Sequence, residues 1–465
     1  MRRLWVGVLM LSGCVPALTQ QARAPNTAVP SSYGAEVAEP SSSAAVKWDE
    51  FFKDPRLTAL VDEALKNNQE LNITTLELDI AQNEVTARQG EFLPKFNARV
   101  GLGLEKVGRY TSQGVGDESA GVPEHLPDFQ VGIFASWEAD IWGKLRNATK
   151  AATLRYLSSV EGKNFTVTVL VDEIASSYYE LLALDAQLEV LSENVKLQKE
   201  ALELVRAQKD AARVTELAVI RFEAEVLKNE SRQSGILQRI VETENRLNFL
   251  VGRFPQHIDR DSAGFMALVP PAVQSGLPSQ LLENRPDVKR AELELAAAEL
   301  DVKVARASFY PSIGIRAGFG LQSFDILKLV TSLGSIFYSA AVDMMAPLFN
   351  RNAITATYFS ANSRQQQAVF NFERAILRGY GEAAMQLAAI ENLQKSYELR
   401  AQSVAKLNDS IEISSVLFAY ARADYSEVLL TRREALESQM ELIETKKEQL
   451  NAVVHLYRAL GGGWR

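Results

Sequence analysis

Few side chains in this sequence have the types and spacing that catalysis or metal binding requires. The three histidines, His125, His257 and His455, are far apart, and none lies in an HExxH pattern or a related metal-ligand spacing. The stretch GLGLEKVG (101–108) has alternating glycines, but the Lys-Ser/Thr pair of a phosphate loop does not follow it. The sequence therefore predicts no enzyme activity, no cofactor and no metal site.

The single cysteine is the residue with the clearest chemistry. Two arginines precede a mostly apolar run at 4–11, and the small residues Ser12 and Gly13 come immediately before Cys14. A basic start, an apolar run and small residues form the pattern of a secretory signal peptide. The run is also too short to span a bilayer, because a spanning helix needs about 20 residues. Residues 1–13 are therefore predicted to be a signal peptide.

The segment Leu-Ser-Gly-Cys resembles the lipobox of bacterial lipoproteins, in which cleavage occurs before the cysteine and the cysteine is acylated. The alternative is an ordinary signal peptide with an incidental cysteine. The lipobox predicts lipidation of Cys14. Val15 stands where an aspartate would resemble an inner-membrane retention signal, so the predicted destination is the outer membrane. No thiol would then remain for a disulfide or a thiolate metal site.

The composition limits the partners and suggests where folding begins. The formal net charge of −8 argues against nucleic acid as a partner. Residues 14–47 are rich in Ala, Ser and Pro, a composition typical of extended linkers. We therefore expect a lipid-anchored, extended N-terminal tether over 14–47 and folded structure from about Trp48.

The distribution of proline predicts long helices. Proline is absent between Pro127 and Pro255, and again after Pro347. Because proline inside a helix costs about 3 kcal/mol, these tracts favour helices over about 144–251 and 353–460. Apolar residues recur every three or four positions, which suits helices packed along one another; in the first tract they include Leu181, Leu184, Leu188, Leu191 and Val195. A soluble bundle of shorter helices is the alternative.

The chain also repeats itself. With a shift of 217 residues Phe92 aligns with Phe309 and Pro94 with Pro311, and further on a shift of 209 aligns Ala212-Arg213 with Ala421-Arg422. These matches predict a tandem duplication, with a first repeat over 48–270 and a second over 271–465. The change of shift places eight extra residues in the first repeat, most simply in the loop at 108–127, which is rich in turn formers.

Four segments alternate apolar with polar or glycine residues, which is the period of a β-strand. They lie at about 95–105, 128–140, 312–322 and 336–346. About ten residues is the length of a tilted transmembrane strand, although a soluble hairpin packed on the helices is the alternative. Sheets that span lipid must close, and single-chain barrels begin at about eight strands. Spanning strands would therefore require several copies to share one barrel.

Together these features resemble the TolC-like outer membrane factor family, the exit ducts of tripartite efflux pumps, including those of the resistance-nodulation-division type. The quoted motifs are the lipobox, FLPKF and FYPSI before the hairpins, WEADIWGKLRNA and APLFNRNAITA after them, and the terminal LGGGW. The resemblance implies a mixed α and β membrane protein. In this fold a trimer shares one transmembrane β-barrel, with four strands from each chain, and the β-barrel continues into a long α-helical barrel in the periplasm.

The resemblance also implies partners and cargo. A periplasmic adaptor protein, an inner-membrane transporter and outer membrane lipid are the expected partners, and drugs, detergents, metals or other small toxic molecules are the expected cargo. The helical hairpin tips of this family form an entrance that opens like an iris. A lipid-anchored periplasmic coiled-coil scaffold without a pore is the alternative function.

The aligned Ala-Arg pairs locate the two predicted tips. By resemblance, the periplasmic gate candidates are Asp424, Glu427, Arg422 and Tyr425. The adaptor-contact candidates are Arg213, Val214, Thr215, Glu216, Ala421 and Ala423. Three copies of Asp424 and Glu427 around an axis would concentrate negative potential and favour cations. The alternative is a pair of solvated charges at a helix end. The family commonly has glycine at the place of Ala421, which leaves the shape of this tip open.

Overall fold

The computed structural model describes residues 15–18, 22–33, 41–349, 351–420 and 422–465. Contacts divide the chain into two bodies. Among the described residues, the strand body comprises those up to 25 and those in 78–158 and 291–371, and the helical body comprises those in 26–77, 159–290 and 372–465.

The described elements follow one another twice in a similar order. The helices are α1 (Trp48–Phe51), α2 (Pro55–Asn67), α3 (Gln69–Glu91), α4 (Ser112–Ser119), α5 (Lys144–Asp210), α6 (Glu216–Val251), α7 (Leu281–Asn284), α8 (Pro286–Ala307), α9 (Ile326–Thr331), α10 (Asn352–Ala419) and α11 (Tyr425–Ala459). The strands are β1 (Lys95–Glu105), β2 (Leu126–Ala139), β3 (Ser312–Ser323) and β4 (Ile336–Met345). The two long predicted tracts each contain two helices joined by a short turn.

The strand body contains one four-stranded antiparallel sheet in the order β1-β2-β3-β4. β1 and β4 each pair with one neighbour only, so both are edges of the sheet. β2 begins two residues before the range expected from the sequence, and β3 ends one residue after it. The alternating pattern therefore predicts the strand positions closely, because each strand presents two chemically different faces.

Both strand connections contain a short helix that the sequence analysis did not predict. α4 lies in the turn-rich loop at 108–127, where the Thr111 hydroxyl accepts a hydrogen bond from the Gly114 N–H at 3.1 Å. α9 lies between β3 and β4, where a carboxylate oxygen of Asp325 accepts from the Leu327 N–H at 2.9 Å. Side-chain caps of this kind satisfy backbone donors at a helix start, which helps a short helix to form.

The helical body has a continuous apolar core built from α1, α2, α5, α6 and α11. The Phe51 and Tyr457 rings stack with centroids 4.0 Å apart, and the Tyr457 hydroxyl donates to the Val46 carbonyl at 2.6 Å. α6 ends at Gly252, whose φ of 83° is left-handed; a Cβ there would lie 2.3 Å from the Asn67 carbonyl oxygen. Glycine is therefore required where α6 meets the end of α2.

Residues shortly before Trp48 also pack against the helical body. Ser43–Ala45 form a 3-10 turn, and Ala44 is fully buried. Ser42 forms an antiparallel bridge with Ser275, and the Ser43 N–H donates to the Gln274 carbonyl at 3.0 Å. A small residue such as alanine packs closely against helices despite the linker-like composition around it.

A buried arginine in the helical body is matched by one partner near in sequence and two distant ones. Arg285 donates to Asp287, to Glu382 and to the Ala459 carbonyl. Burial alone would lower the pKa of this guanidinium, but the two carboxylates raise it. Because removing one partner of a buried pair leaves the other uncompensated, this cluster fixes the start of α8 against α10 and α11.

Two consecutive lysines of α11 should have opposite effects on stability. Lys446 is buried, and its Nζ lies over the Tyr397 ring, 4.9 Å from the ring centroid. Burial lowers the pKa of this ammonium group. Lys447 contacts Glu180 and Glu444, and these bonds raise its pKa although burial alone would lower it. We expect Lys446→Met to raise the free energy of unfolding by about 1 kcal/mol and Lys447→Met to lower it by about 2 kcal/mol.

Thermal unfolding of detergent-solubilised protein, followed by circular dichroism, would measure both changes. Because the pKa of Lys446 is lower in the folded state, the unfolded chain binds this proton more tightly, so stability should rise as pH approaches 10.5. Lys446→Met should reduce that rise. Melting shifts in the same direction for the two variants would contradict the assignment.

Candidate functional site

The first hairpin tip joins α5 to α6 through residues 211–215. The Ala212 N–H donates to the Lys209 carbonyl at 2.8 Å, and the Arg213 N–H donates to the Gln208 carbonyl at 2.9 Å. These two bonds form a Schellman motif, which requires a left-handed residue just after the helix. That residue is Ala212, with φ of 56°, and it is the one non-glycine residue with positive φ in the described ranges.

We expect Ala212→Gly to stabilise the first tip. A left-handed conformation costs an alanine roughly 1 kcal/mol, whereas glycine adopts it readily. Slower amide hydrogen exchange over 205–220 would show the gain. Ala211→Gly is the control, because Ala211 donates from its N–H to the Ala207 carbonyl as the helix ends and has no positive φ; it should speed exchange. Faster exchange in Ala212→Gly would show that the left-handed alanine is not strained.

A small apolar core lies behind this tip. It contains Leu202, Val205, Ala218, Val219, Phe222 and Val226. Val214, from the tip, and Leu429, from α11, pack against it. Val214, an adaptor-contact candidate, is therefore half-buried and contributes to internal packing. The packing of Leu429 also brings the second hairpin beside the first.

The other three adaptor-contact candidates of the first tip, Arg213, Thr215 and Glu216, are exposed. Thr215 is the N-cap residue of α6, but its side chain accepts no capping hydrogen bond. Glu216 pairs with Lys209, and this hydrogen bond raises the pKa of the lysine. The first tip thus presents one exposed cation, one hydroxyl and one surface ion pair.

The second tip joins α10 to α11. The Arg422 N–H donates to the Leu417 carbonyl at 2.8 Å, the same bond that Arg213 makes in the first tip. Ala421, an adaptor-contact candidate, and the side chain of Tyr425, a gate candidate, lie outside the part of the chain that the structure describes. Ala423 is half-buried. The two tips therefore share this backbone hydrogen bond.

Three of the four gate candidates have side chains that the structure describes, and all three are exposed: Arg422, Asp424 and Glu427. Asp424 is the N-cap of α11, although its side chain makes no capping bond, and Glu427 lies in the first turn. Within the described ranges none of these three side chains forms an ion pair. Carboxylates three residues apart share one face, and at a helix N-terminus they are favoured by its dipole.

Arg432, one turn further along α11, was missed by the sequence analysis. Its Nε is buried without a hydrogen-bond partner, and burial lowers the pKa of its guanidinium. A half-buried cation without compensation is costly in a single chain. The sequence does not reveal that this guanidinium is buried, because one arginine on a charged helix resembles the solvent-exposed arginines around it.

The sheet has one polar and one apolar face. Paired residues of neighbouring strands share a face. The polar face carries Lys95, Asn97, Arg99, Asp128, Gln130, Glu138, Arg316, Gln322 and Asp343. The other face carries large apolar side chains exposed in the single chain, including Val100 (77%), Leu102 (79%), Ile133 (58%) and Tyr338 (85%). An exposed apolar surface of this extent indicates contact with another apolar phase.

Aromatic side chains cluster where helices and strands meet. The Trp142 ring stacks on Tyr310 with centroids 4.9 Å apart, and its Nε1 donates to the Pro311 carbonyl at 2.7 Å. The Trp137 Nε1 donates to the Phe92 carbonyl at 3.0 Å. Aromatic rings with a polar tip are enriched at membrane–water interfaces. This end of the sheet therefore has interfacial character.

The first described residues lie beside this end of the strand body. Val15 and Leu18 pack against a cluster that contains Phe309 and Tyr358, and Phe309 lies three residues before β3. Cys14 itself lies outside the described residues. The residue next to the predicted lipidation position thus contacts the segment that leads into the sheet.

Two of the histidines lie beside carboxylates in the helical body. The His455 Nδ1 lies 2.7 Å from Oδ1 of Asp172, and the same carboxylate accepts a hydrogen bond from Arg458. The His257 Nδ1 lies 3.0 Å from Oε1 of Glu244. Among the described residues no three His, Cys, Asp or Glu side chains are grouped to hold a metal ion. Across the same ranges, no helix combines the length and apolarity needed to cross a membrane.

Comparison with known proteins gives the family. The model of the family described as outer membrane efflux protein matches residues 60–253 and 277–462. Solvent efflux pump outer membrane protein SrpC of Pseudomonas putida is 29% identical over 466 residues, covering 98% of this chain and 97% of SrpC. Probable outer membrane lipoprotein SilC of Salmonella typhimurium is 27% identical, with the same coverage. A crystal structure of CusC has a TM-score of 0.82 at 25% identity, covering 96% of this chain and 99% of CusC. The chain therefore belongs to the outer membrane efflux protein family, as its resemblance to TolC-like outer membrane factors predicted, and it is a protein of the outer membrane.

Proposed function

We propose that this chain is the exit duct of a tripartite efflux pump and passively conducts small toxic molecules across the outer membrane. The two-faced sheet carries the proposal. Its apolar face suits lipid, its polar face suits water, and their alternation is the pattern of a transmembrane barrel. A pore-free periplasmic scaffold would have no use for large apolar side chains exposed along four strands.

The unpaired edges of the sheet support an oligomer. β1 and β4 would leave backbone donors and acceptors unpaired in lipid, and that costs several kcal/mol per group. Pairing β4 of one copy with β1 of the next removes both edges. We propose a homotrimer with twelve strands, a number that exceeds the minimum of about eight for closure, and we take the number of copies from the family resemblance.

The two matched segments of the family model support a tandem repeat, with repeats over 48–270 and 271–465. We propose that the hairpin tips at 211–215 and 420–424 face a periplasmic adaptor and an inner-membrane transporter. In this proposal the adaptor is contacted by Arg213, Val214, Thr215, Glu216, Ala421 and Ala423. The closed entrance is formed by Asp424, Glu427, Arg422 and Tyr425.

The named relatives differ in what they export. SrpC is named for solvent efflux, CusC for cation efflux and OpmQ of Pseudomonas aeruginosa for pyoverdine export. Family membership therefore defines a class of small exported molecules. Co-purification of the inner-membrane transporter would define the cargo within this class.

Conductance in planar lipid bilayers tests the duct. We expect the purified oligomer to give ion currents, small in the closed state and larger when Asp424 and Glu427 are both replaced by alanine. If folded oligomers of both proteins insert and pass no current, the duct proposal fails and the scaffold becomes the better explanation.

Cys14 is proposed to be acylated after removal of residues 1–13, and the packing of Val15 beside Phe309 would hold the lipid near the membrane-facing end of the sheet. The apolar face of the sheet buries far more apolar surface than acyl chains, which contribute about 0.8 kcal/mol per buried CH₂. Cys14→Ser behind a conventional signal peptide should therefore abolish labelling by radioactive palmitate and still give membrane-inserted trimers. A fully soluble product would show that the barrel assignment is wrong.

A further inference from the structure

Two phenylalanines interrupt the polar face of the sheet. The four strands are described in full, and between their ends Phe134 and Phe337 are the only large apolar side chains on that face. Their ring centroids lie 6.0 Å apart, with the ring planes tilted by 32°. Both side chains are half-buried, so each ring keeps an exposed surface. The pair therefore forms an apolar patch among charged and amide side chains.

Glycines make room for this pair. Phe134 is directly opposite Gly318, and Phe337 is directly opposite Gly320, which in turn pairs with Gly132. A Cβ on Gly318 would lie 2.9 Å from a Phe134 ring carbon, and a Cβ on Gly320 would lie 3.0 Å from a Phe337 ring carbon. All three glycines are buried. The rings thus lie flat across the glycines instead of standing out from the sheet.

The position of the pair limits what can cover it. Lipid would contact the opposite face, where Phe319 and Tyr338 are exposed next to each other in register. A second copy of the chain would meet the sheet at its edges, because backbone pairing occurs there. What remains above the polar face is the water-filled passage and the molecules that move through it.

We propose that Phe134 and Phe337 form a contact site for the aromatic part of exported molecules on the inner wall of the barrel; this inference rests on the proposed duct. Ring faces stack with aromatic solutes and attract cations bound to them. The flanking polar residues Asn97 and Ser339 keep the rest of the wall wettable. The site would favour amphiphilic aromatic molecules over polar molecules of equal charge.

Block of the ion current by organic cations tests whether the two rings bind passing molecules or only pack over the glycines beneath them. Full-length trimers in planar bilayers would be exposed, from the side of the strand connections, to benzyltrimethylammonium or to tetramethylammonium, which carry the same charge. We expect the benzyl compound to reach half-block at about three- to tenfold lower concentration. The Phe134→Ala, Phe337→Ala double variant should bring that ratio close to one.

Two further variants keep the test decisive. Phe134→Leu with Phe337→Leu fills most of the same volume without an aromatic ring. It should assemble even if the alanine variant does not, while losing most of the preference. Phe319→Ala, on the apolar face of β3, is the matched control and should keep the wild-type ratio. An unchanged ratio in the leucine double variant would overturn the contact site and leave the duct intact. Absence of current from every variant would overturn the duct and the inference with it.

Thiol labelling gives an independent readout of the same face. In a Cys14→Ser background, Phe134→Cys and Phe319→Cys each introduce the only thiol of the chain. In proteoliposomes a charged, membrane-impermeant thiol reagent should modify the Phe134→Cys protein at least tenfold faster than the Phe319→Cys protein. Equal rates would show that the two faces do not separate water from lipid.

Discussion

Val100→Arg should prevent stable insertion of this protein into the outer membrane, whereas Gly101→Arg, one residue away, should not. Val100 lies in the middle of β1 on the apolar face and is 77% exposed in the single chain. An arginine near the bilayer midplane costs about 2–4 kcal/mol in a transmembrane barrel, and every copy in the oligomer would bear that cost.

Gly101 is the matched control because it is on the same strand and the opposite face. A Cβ at Gly101 would meet Arg99 and Gln130 at 3.8 Å, an ordinary contact distance, so a side chain fits. The polar face already carries Arg99 and Arg316. Outer membrane fractions and heat-modifiable electrophoretic mobility would report inserted trimers. Equal insertion of both variants, or loss of both, would contradict the assignment of the faces.

The strands were predictable because their pattern is local. In KFNARVGLGLE apolar residues alternate with polar residues or glycine, and successive residues of a strand point to opposite faces. The alternation therefore gives the range of β1 without knowledge of the strands that pair with it. The same holds for the long helices, where the absence of proline and the spacing of leucines are enough. The ends of these helices were also predictable, since the aligned Ala-Arg pairs lie at the two turns.

Features that depend on distant residues were not predictable. Ala44 is buried because the chain beside it pairs with distant residues. Ser42 bridges to Ser275, and the Gln274 N–H donates to the Ser43 hydroxyl across a separation of 231 residues. Val214 has the sequence environment of an exposed turn, yet it packs on a core shared with Leu429. Ala212 is left-handed although alanine strongly prefers negative φ, so the backbone preference of its residue type would not predict the observed conformation.

Replacing both Asp424 and Glu427 by alanine should increase conductance and lower the selectivity for K⁺ over Cl⁻ several-fold. Both carboxylates are exposed at the start of α11, Asp424 as its N-cap and Glu427 in its first turn, and in the proposed trimer they would place six negative charges around the entrance. A ring of like charge attracts counter-ions into a narrow passage. Reversal potentials under a salt gradient would measure the selectivity.

Salt dependence separates this electrostatic effect from a change of shape. The Debye length is about 10 Å at 0.1 M salt and about 3 Å at 1 M, so the difference in selectivity should shrink strongly at the higher concentration. Glu216→Ala is the matched control, because Glu216 is also a first-turn carboxylate but pairs with Lys209 in the first tip. A loss of selectivity that is as large at 1 M salt, or that Glu216→Ala reproduces, would contradict the proposed charge ring.

Arg422 allows the two roles of this tip, charge and closure, to be told apart. It is exposed, and within the described residues its side chain forms no ion pair. We propose that it holds the entrance closed through a bond to another copy. Removing such a bond should raise conductance just as the carboxylate variant does. Removing the positive charge of Arg422 should also raise the preference for K⁺ over Cl⁻, whereas the carboxylate variant should lower it. Arg422→Ala should therefore open the entrance and increase cation selectivity together. A rise in selectivity without a rise in conductance would mean that Arg422 shapes the potential at the entrance but does not hold it closed.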